Sequence, residues 1–238
     1  MSSLVEVIAK QAQATFSKSL TEENFAESFT KLIRNVARIR SSDLKLNKET
    51  IRTINSGNSS KSLAPVTYIE VAENQCFSMG IFLLKSGARI PLHDHPGMHG
   101  VLKVIQGTLK ISSYSALSKV PGEVKLPQDI SNRIKSSQKD RLIPVEKHSP
   151  ENVTDKDEPC VLRPKESNFH EICAIGGTAA FLDILAPPYD MKERDCHYYV
   201  PLETNKTDSE VKTWLLRTSP PTDFWCDAAP YTGPKVSL

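Results

Sequence analysis

Gly87-Ala88-Arg89-Ile90-Pro91-Leu92-His93-Asp94-His95-Pro96-Gly97-Met98-His99-Gly100, followed by Gly107, is the stretch on which the reading of the fold turns. His93 and His95 stand two apart. On a strand, residues i and i+2 point to the same face, so the two imidazoles share one side of the chain. Each offers a neutral ring nitrogen able to hold a metal ion at about 2.0–2.1 Å. One strand rarely closes a metal site, so a further ligand has to come from elsewhere.

His170 supplies the best candidate. It lies in Asn168-Phe169-His170-Glu171-Ile172, whose pattern predicts a strand with Phe169 and Glu171 on the face opposite His170. The remaining histidines are weaker. His148 precedes Ser149-Pro150 in a loop, His197 lies in a polar run, and His99 follows Pro96 and Gly97, which break the strand phase.

Outward from this stretch the texture is that of short strands. Val66–Val71, Cys76–Leu84, Val101–Tyr114, Leu142–Val145, Phe169–Ile175, Ala179–Leu185 and His197–Pro201 are β-rich and punctuated by Gly and Pro. This suggests a mainly β sandwich or barrel. The polar stretch from Ser118 to Pro159 carries five prolines and reads as an insertion or extended hairpin. The tail, with Pro220-Pro221 and Tyr231-Thr232-Gly233-Pro234, reads as irregular.

The first part of the chain reads as helical. Val5, Ile8, Ala9, Ala12 and Phe16 recur at near-helical spacing. Thr21 is a candidate N-cap, with Glu22 and Glu23 in the first turn behind it. Phe25, Phe29, Leu32, Ile33, Val36 and Ile39 then form one apolar stripe, read as a face packed on the core. The expected organisation is a helical segment over residues 1–64, packed on a barrel over 65–238, as one structural domain.

Composition limits the partners. The 238 residues hold 30 Lys plus Arg against 28 Asp plus Glu, a formal charge of +2. That balance gives no support for a nucleic-acid or membrane-surface partner. No stretch approaches the roughly 18–20 apolar residues of a membrane span, and the start lacks a signal-peptide pattern. Five scattered cysteines without C-x-x-C read as reduced thiols, hence a cytoplasmic protein, with the nucleus open. No stripe demands a partner, so a monomer is expected.

The glycine and histidine pattern resembles the first motif of the cupin family: Gly87, five residues, His93-x-His95, and a closing Gly107. The resemblance implies a double-stranded β-helix with the metal in the barrel mouth. Cupins commonly add a Glu a few residues after the pair, but after three and four intervening residues stand His99 and Gly100. The second motif keeps Pro164 and His170 and lacks the expected Gly and Asn.

A cupin with three histidines and no carboxylate resembles the thiol dioxygenases. The longer match covers Pro91–Gly100, Lys103–Gly107, Phe181–Tyr189 and Arg194–Tyr199, and is similar to the cysteamine (2-aminoethanethiol) dioxygenases and plant cysteine oxidases. The likeness runs over most of the chain. It implies one Fe(2+) on His93, His95 and His170, with O2 as co-substrate and a sulfinic acid as product. The substrates implied are a small aminothiol (giving hypotaurine) and proteins with an N-terminal Cys, the latter making the enzyme an oxygen sensor.

The chemistry suits the residues. Three imidazoles leave about three positions open on a six-coordinate iron and leave its charge for a substrate thiolate to balance. Asp183 interrupts the apolar run Ala179–Leu185. It either makes a structural hydrogen bond or faces outward, or it orients a ligand histidine or receives the substrate ammonium. Cys196 and Tyr198 share a strand face. They either pack ordinarily, or Tyr198 hydrogen-bonds substrate or oxygen and the pair becomes oxidatively cross-linked. His99 is expected to support the ligands or to serve structure. Two other classes stay open: a zinc or manganese cupin isomerase or epimerase, and a non-enzymatic cupin binding module.

Overall fold

Ser3 and Thr21 set the two N-terminal helices. Each hydroxyl accepts a backbone N–H three residues on, from Glu6 and Asn24 respectively, and the helices α1 (Leu4–Phe16) and α2 (Glu22–Ala37) follow. In this computed structural model the described residues are 2–17, 21–46, 51, 64–117, 125–206 and 209–238. Among them, no helix is long and apolar enough to cross a membrane.

Behind the helices come β1 (Val66–Glu73), β2 (Ser78–Leu84), β3 (Arg89–Asp94), β4 (His99–Ala116), β5 (Leu142–Lys147), β6 (Glu151–Thr154), β7 (Cys160–Leu162), β8 (Phe169–Ala186), β9 (Tyr198–Glu203), β10 (Thr213–Thr218) and β11 (Cys226–Ala228). Their order is β11-β1-β2-β8-β3-β9-β10-β5-β4-β6, with β7 also on β4. Pairing of β4 with β8 closes the ring. This is a mainly β, closed barrel of the double-stranded β-helix kind, carrying N-terminal helices.

The two strands of 18 residues, β4 and β8, hold the barrel together. The first part of β8 pairs with β3 and the last part with β2, while β4 runs along its other side throughout. Such strands must bend sharply to serve both sheets. Gly107 on β4 sits at φ +78°, where a Cβ would lie 2.5 Å from the Thr178 carbonyl oxygen. Gly176 and Gly177 on β8 also have positive φ, and the β4–β8 register shifts at this level. Glycine alone permits this conformation and close approach. Phe169–Ile175 and Ala179–Leu185, read from sequence as separate strands, are therefore one bent strand.

Two apolar layers result. Inside the barrel lie Leu102, Val104, Leu109, Ile111, Ile172 and Phe181. On the outer face, Met79, Ile81, Val101, Ile105, Leu182 and Ile184 meet Val5, Ile8, Phe29, Leu32 and Val36 of the helices. The helical stripes thus cover the barrel wall.

One expectation is resolved and one corrected. The described residues of the 118–159 stretch follow the extended-hairpin reading: β5 and then β6 return antiparallel along β4, and β5 also pairs with β10. β5 matches the strand expected over Leu142–Val145. The same stretch adds the short helix α3 (Gln128–Ser131) and a 3-10 turn. The tail, read as irregular, contributes β11, which pairs in parallel with β1.

Candidate metal centre

A β-bulge aims the histidines. Ile90 pairs with Ile172 and His93 with His170, so β3 spends three residues where β8 spends two. The extra residue, in Pro91-Leu92, rotates the strand by one position. Ile90 faces the barrel interior with Ile172, and after the bulge His93 and His95 face it too. Leu92 turns to a cluster with Phe169 and Tyr199. Without the bulge, the side chains beyond it would take the opposite faces.

His93, His95 and His170 are buried, and one ligand atom from each lies within 4.8 Å of the others. His93 sits between two cross-strand partners, His170 on β8 and Tyr198 on β9. Hydrogen bonds fix the tautomers. Pro91 O can only accept, so His93 donates Nδ1–H to it at 2.8 Å and leaves Nε2 bare. Tyr189 spends its hydroxyl proton on Asp94 O at 2.7 Å. Its oxygen therefore accepts His95 Nδ1–H at 2.8 Å, leaving His95 Nε2 bare as well. His95 Nε2 and His170 Nε2 are 3.0 Å apart.

Burial lowers the pKa of all three rings, and neighbouring imidazoles add to the effect at His95 and His170. They are neutral ligands at pH 7. Among the described residues, no other set of His, Cys, Asp and Glu gathers this way. His148 bonds Ser115 and His197 bonds Asp94, so neither is free to join.

Asp94, between the two ligands in sequence, points to the other face. Its carboxylate accepts the His197 N–H at 2.8 Å, the His197 Nδ1–H at 3.2 Å and the Tyr199 hydroxyl at 2.8 Å. These bonds clamp β9 onto β3 beneath the histidines. A buried acid in an H-D-H run demands such partners, a signal open to sequence reasoning but not used. Tyr189 had no such signal, lying 94 residues from the imidazole it holds.

Asp183 faces the barrel interior, opposite Gly80 on β2. It is 8% exposed. Burial, opposed only by a bond from the Ile184 N–H, pushes its pKa up to about 7. With Tyr68, Gly80, Tyr189 and Cys226 it lines a cavity of about 330 Å³. A second cavity, of about 580 Å³, reaches His170 past Leu102, Ser113 and Leu162. Cys196 lies beside Tyr189 and Tyr198, and burial raises its thiol to about 11. All five cysteines are unpaired.

His99 is placed elsewhere. Its ring packs among Phe16, Phe25 and Phe29, at centroid distances of 6.2, 5.0 and 5.6 Å. It fastens the helices to β4.

A search against family models matches PCO_ADO over residues 36–236. The chain belongs to the PCO_ADO family. It is 40% identical to the 2-aminoethanethiol dioxygenase of Mus musculus, over 99% of this chain and 97% of that one. It is 34% identical to Plant cysteine oxidase 1 of Arabidopsis thaliana, over 66% of this chain and 48% of that one. Among solved structures, the Cnp3 cupin domain of Schizosaccharomyces pombe aligns at 12% identity and a TM-score of 0.34, covering 56% of this chain and 70% of that one. Within this PCO_ADO chain the three imidazoles form a site able to hold a metal.

Proposed function

We propose that this PCO_ADO chain is an iron(II)-dependent thiol dioxygenase, with His93, His95 and His170 holding the metal and an aminothiol or an N-terminal cysteine as substrate. The observation that carries the reading is the all-imidazole donor set, with the tautomers of His93 and His95 locked. Two neutral ring nitrogens facing each other at 3.0 Å need a proton or a cation beside their lone pairs. Ligands about 2.1 Å from a common centre lie about 3.0 Å apart at a right angle and about 3.4 Å apart at a tetrahedral one. The spacing fits two neighbouring ligands on one ion, and iron is the metal that the thiol dioxygenase reading requires.

When bound, iron(II) supplies the redox chemistry by which both atoms of dioxygen are added to a thiol sulfur, giving a sulfinic acid. The chain's own residues do the rest. Three neutral imidazoles bring no negative charge, so a substrate thiolate is the anion that the site lacks. Asp183 receives the substrate ammonium: a carboxyl that burial holds near neutrality gains most from an incoming cation. Tyr198, the cross-strand partner of His93 and a neighbour of Cys196, would hydrogen-bond the bound substrate or oxygen.

The test is aerobic incubation of the iron(II)-loaded protein with cysteamine and with a Cys-initial peptide, read by mass spectrometry. A gain of about 32 Da, absent without oxygen, is expected. No gain on either thiol with iron bound would refute the assignment.

A further inference from the structure

Of the five cysteines, all among the described residues, only Cys226 is exposed. It opens β11, which pairs in parallel with β1 through Val66↔Cys226 and Tyr68↔Ala228. Val66 belongs to the apolar layer inside the barrel, and paired residues share a face, so the register turns Cys226 to the inner side as well. The thiol lines the same cavity of about 330 Å³ as Asp183. The ring of Tyr68 crosses the wall between them: it lies over Gly80, where a Cβ would be 2.2 Å from Cε2, and Gly80 is the cross-strand partner of Asp183. An exposed cysteine alone needs no function. This one shares a cavity with a buried carboxyl.

Asp183 shows what the cavity takes. It is 8% exposed, and among the described residues no side chain bonds its carboxyl, which accepts only the Ile184 N–H. A buried acid so thinly partnered gains from a ligand that brings a donor. Glu73 is the other carboxylate of the described lining, which holds no Lys, Arg or His. The cavity therefore attracts small cations and repels anions.

The dimensions agree. A cavity of about 330 Å³ is roughly 9 Å across. An ammonium bonded to a carboxylate at about 2.8 Å, two carbons, a sulfur and one S–S bond of about 2.05 Å together span roughly 9 Å as well. Partial burial and Asp227 push the Cys226 thiol up to about 11, so few of these thiols are ionised at neutral pH. A disulfide met at random reacts slowly with such a thiol. One held by its ammonium beside the sulfur gains in effective concentration.

We propose that Cys226 is a modification site for small disulfides that carry an ammonium two carbons from sulfur, with Asp183 holding the ammonium while the thiol exchanges; this rests on the thiol dioxygenase reading only in taking Asp183 as the ammonium site. The Cys226 sulfur attacks the sulfur that bears the held ammonium. The S–S bond of the small molecule breaks and an S–S bond to Cys226 forms. The other half departs as a thiol, with the proton that Cys226 gives up, so Cys226 is oxidised and the departing sulfur reduced. The adduct fills the space that an aminothiol substrate needs. The oxidised form of the substrate class thereby closes the site until a reducing thiol reopens it.

The experiment exposes the whole chain, metal-free and under nitrogen, to cystamine or to the uncharged bis(2-hydroxyethyl) disulfide. Intact mass and peptide maps are read after an acid quench. Cystamine should add about 75 Da at Cys226, about tenfold faster than the hydroxyl disulfide reacts, and a reducing thiol should remove it. Asp183→Asn should react with both disulfides at the same slow rate, which separates loss of the ammonium anchor from loss of the fold. Cys226→Ser should gain no mass, and prior cystamine should no longer lower its iron-dependent turnover of cysteamine. An adduct on another cysteine, equal rates for the two disulfides in wild type, or a preference that survives in Asp183→Asn each overturns the proposal. Failure of the iron-loaded wild type to add oxygen to a thiol would remove the dioxygenase reading, while the exchange rates, measured without iron or oxygen, would still decide the role of Cys226.

Discussion

Replacing Tyr189 with Phe removes one oxygen atom and strips two buried groups of their partner. His95 Nδ1–H loses its acceptor and Asp94 O loses its donor, at 2.8 and 2.7 Å. His95 is 1% exposed, so water cannot readily take the place of the hydroxyl on that side. An orphaned buried group costs about 1–3 kcal/mol. The part falling on metal binding comes from the freed imidazole, which can turn or change tautomer and present Nδ1–H instead of a bare Nε2. Substitutions of such supporting residues weaken metal affinity by about 10–100-fold. Competition with a chromogenic chelator at neutral pH measures this directly, and circular dichroism checks the fold. Unchanged affinity in Tyr189→Phe would refute the account of how His95 is oriented. An equal loss in Tyr199→Phe, whose hydroxyl bonds only the Asp94 carboxylate, would show that the effect is general loosening of the clamp.

Other outcomes follow from the same geometry. The Asp183 pKa is raised to about 7, so the carboxyl is neutral below that pH and anionic above it; kcat/KM for cysteamine should climb through pH 7, and Asp183→Asn should lose that limb and about 10–100-fold in rate. The three ligand imidazoles have lowered pKa values, so chelator-treated protein should lose stability as pH falls below 6.5, each ring adding up to about 1.4 kcal/mol per pH unit; denaturant titrations across pH would show it, and a flat profile would contradict neutral burial. Lys103 is 1% exposed and donates to Asp155 O and Asp157 O at 2.7 and 2.8 Å; Lys103→Met should cost about 2–3 kcal/mol in urea unfolding by orphaning both carbonyls, and an unaltered midpoint would contradict that.

The three histidines were legible because period-two alternation is local and the H-x-H pair needs no partner to be noticed. The bulge that aims them was not. Pro91 reads as an edge or bulge residue, yet only the pairing with β8 shows that one extra residue is inserted. Tyr189 and the Asp94 clamp join residues about a hundred positions apart, and no spacing rule spans that distance. The helices were read nearly to the residue, since their caps and stripes are local signals. Strand β5 was anticipated over Leu142–Val145, but its place between β10 and β4 is set by distant pairings that no local signal carries. His99 was visible as a histidine in a motif, but its ring of phenylalanines comes from helices some seventy to eighty residues upstream.

His95 and His170 are 75 residues apart in the chain and meet only because β8 has docked beside β3. A chain emerging from the ribosome displays the first two donors long before the third is made. Unlike a zinc finger, where the ion nucleates a small fold, metal capture here has to follow barrel closure, a late event for pairings so distant in sequence. Occupancy of the centre is therefore a certificate of completed folding. A truncated or misregistered chain offers the ion two donors at most, and an oxygen-activating metal is retained only by molecules able to enclose it.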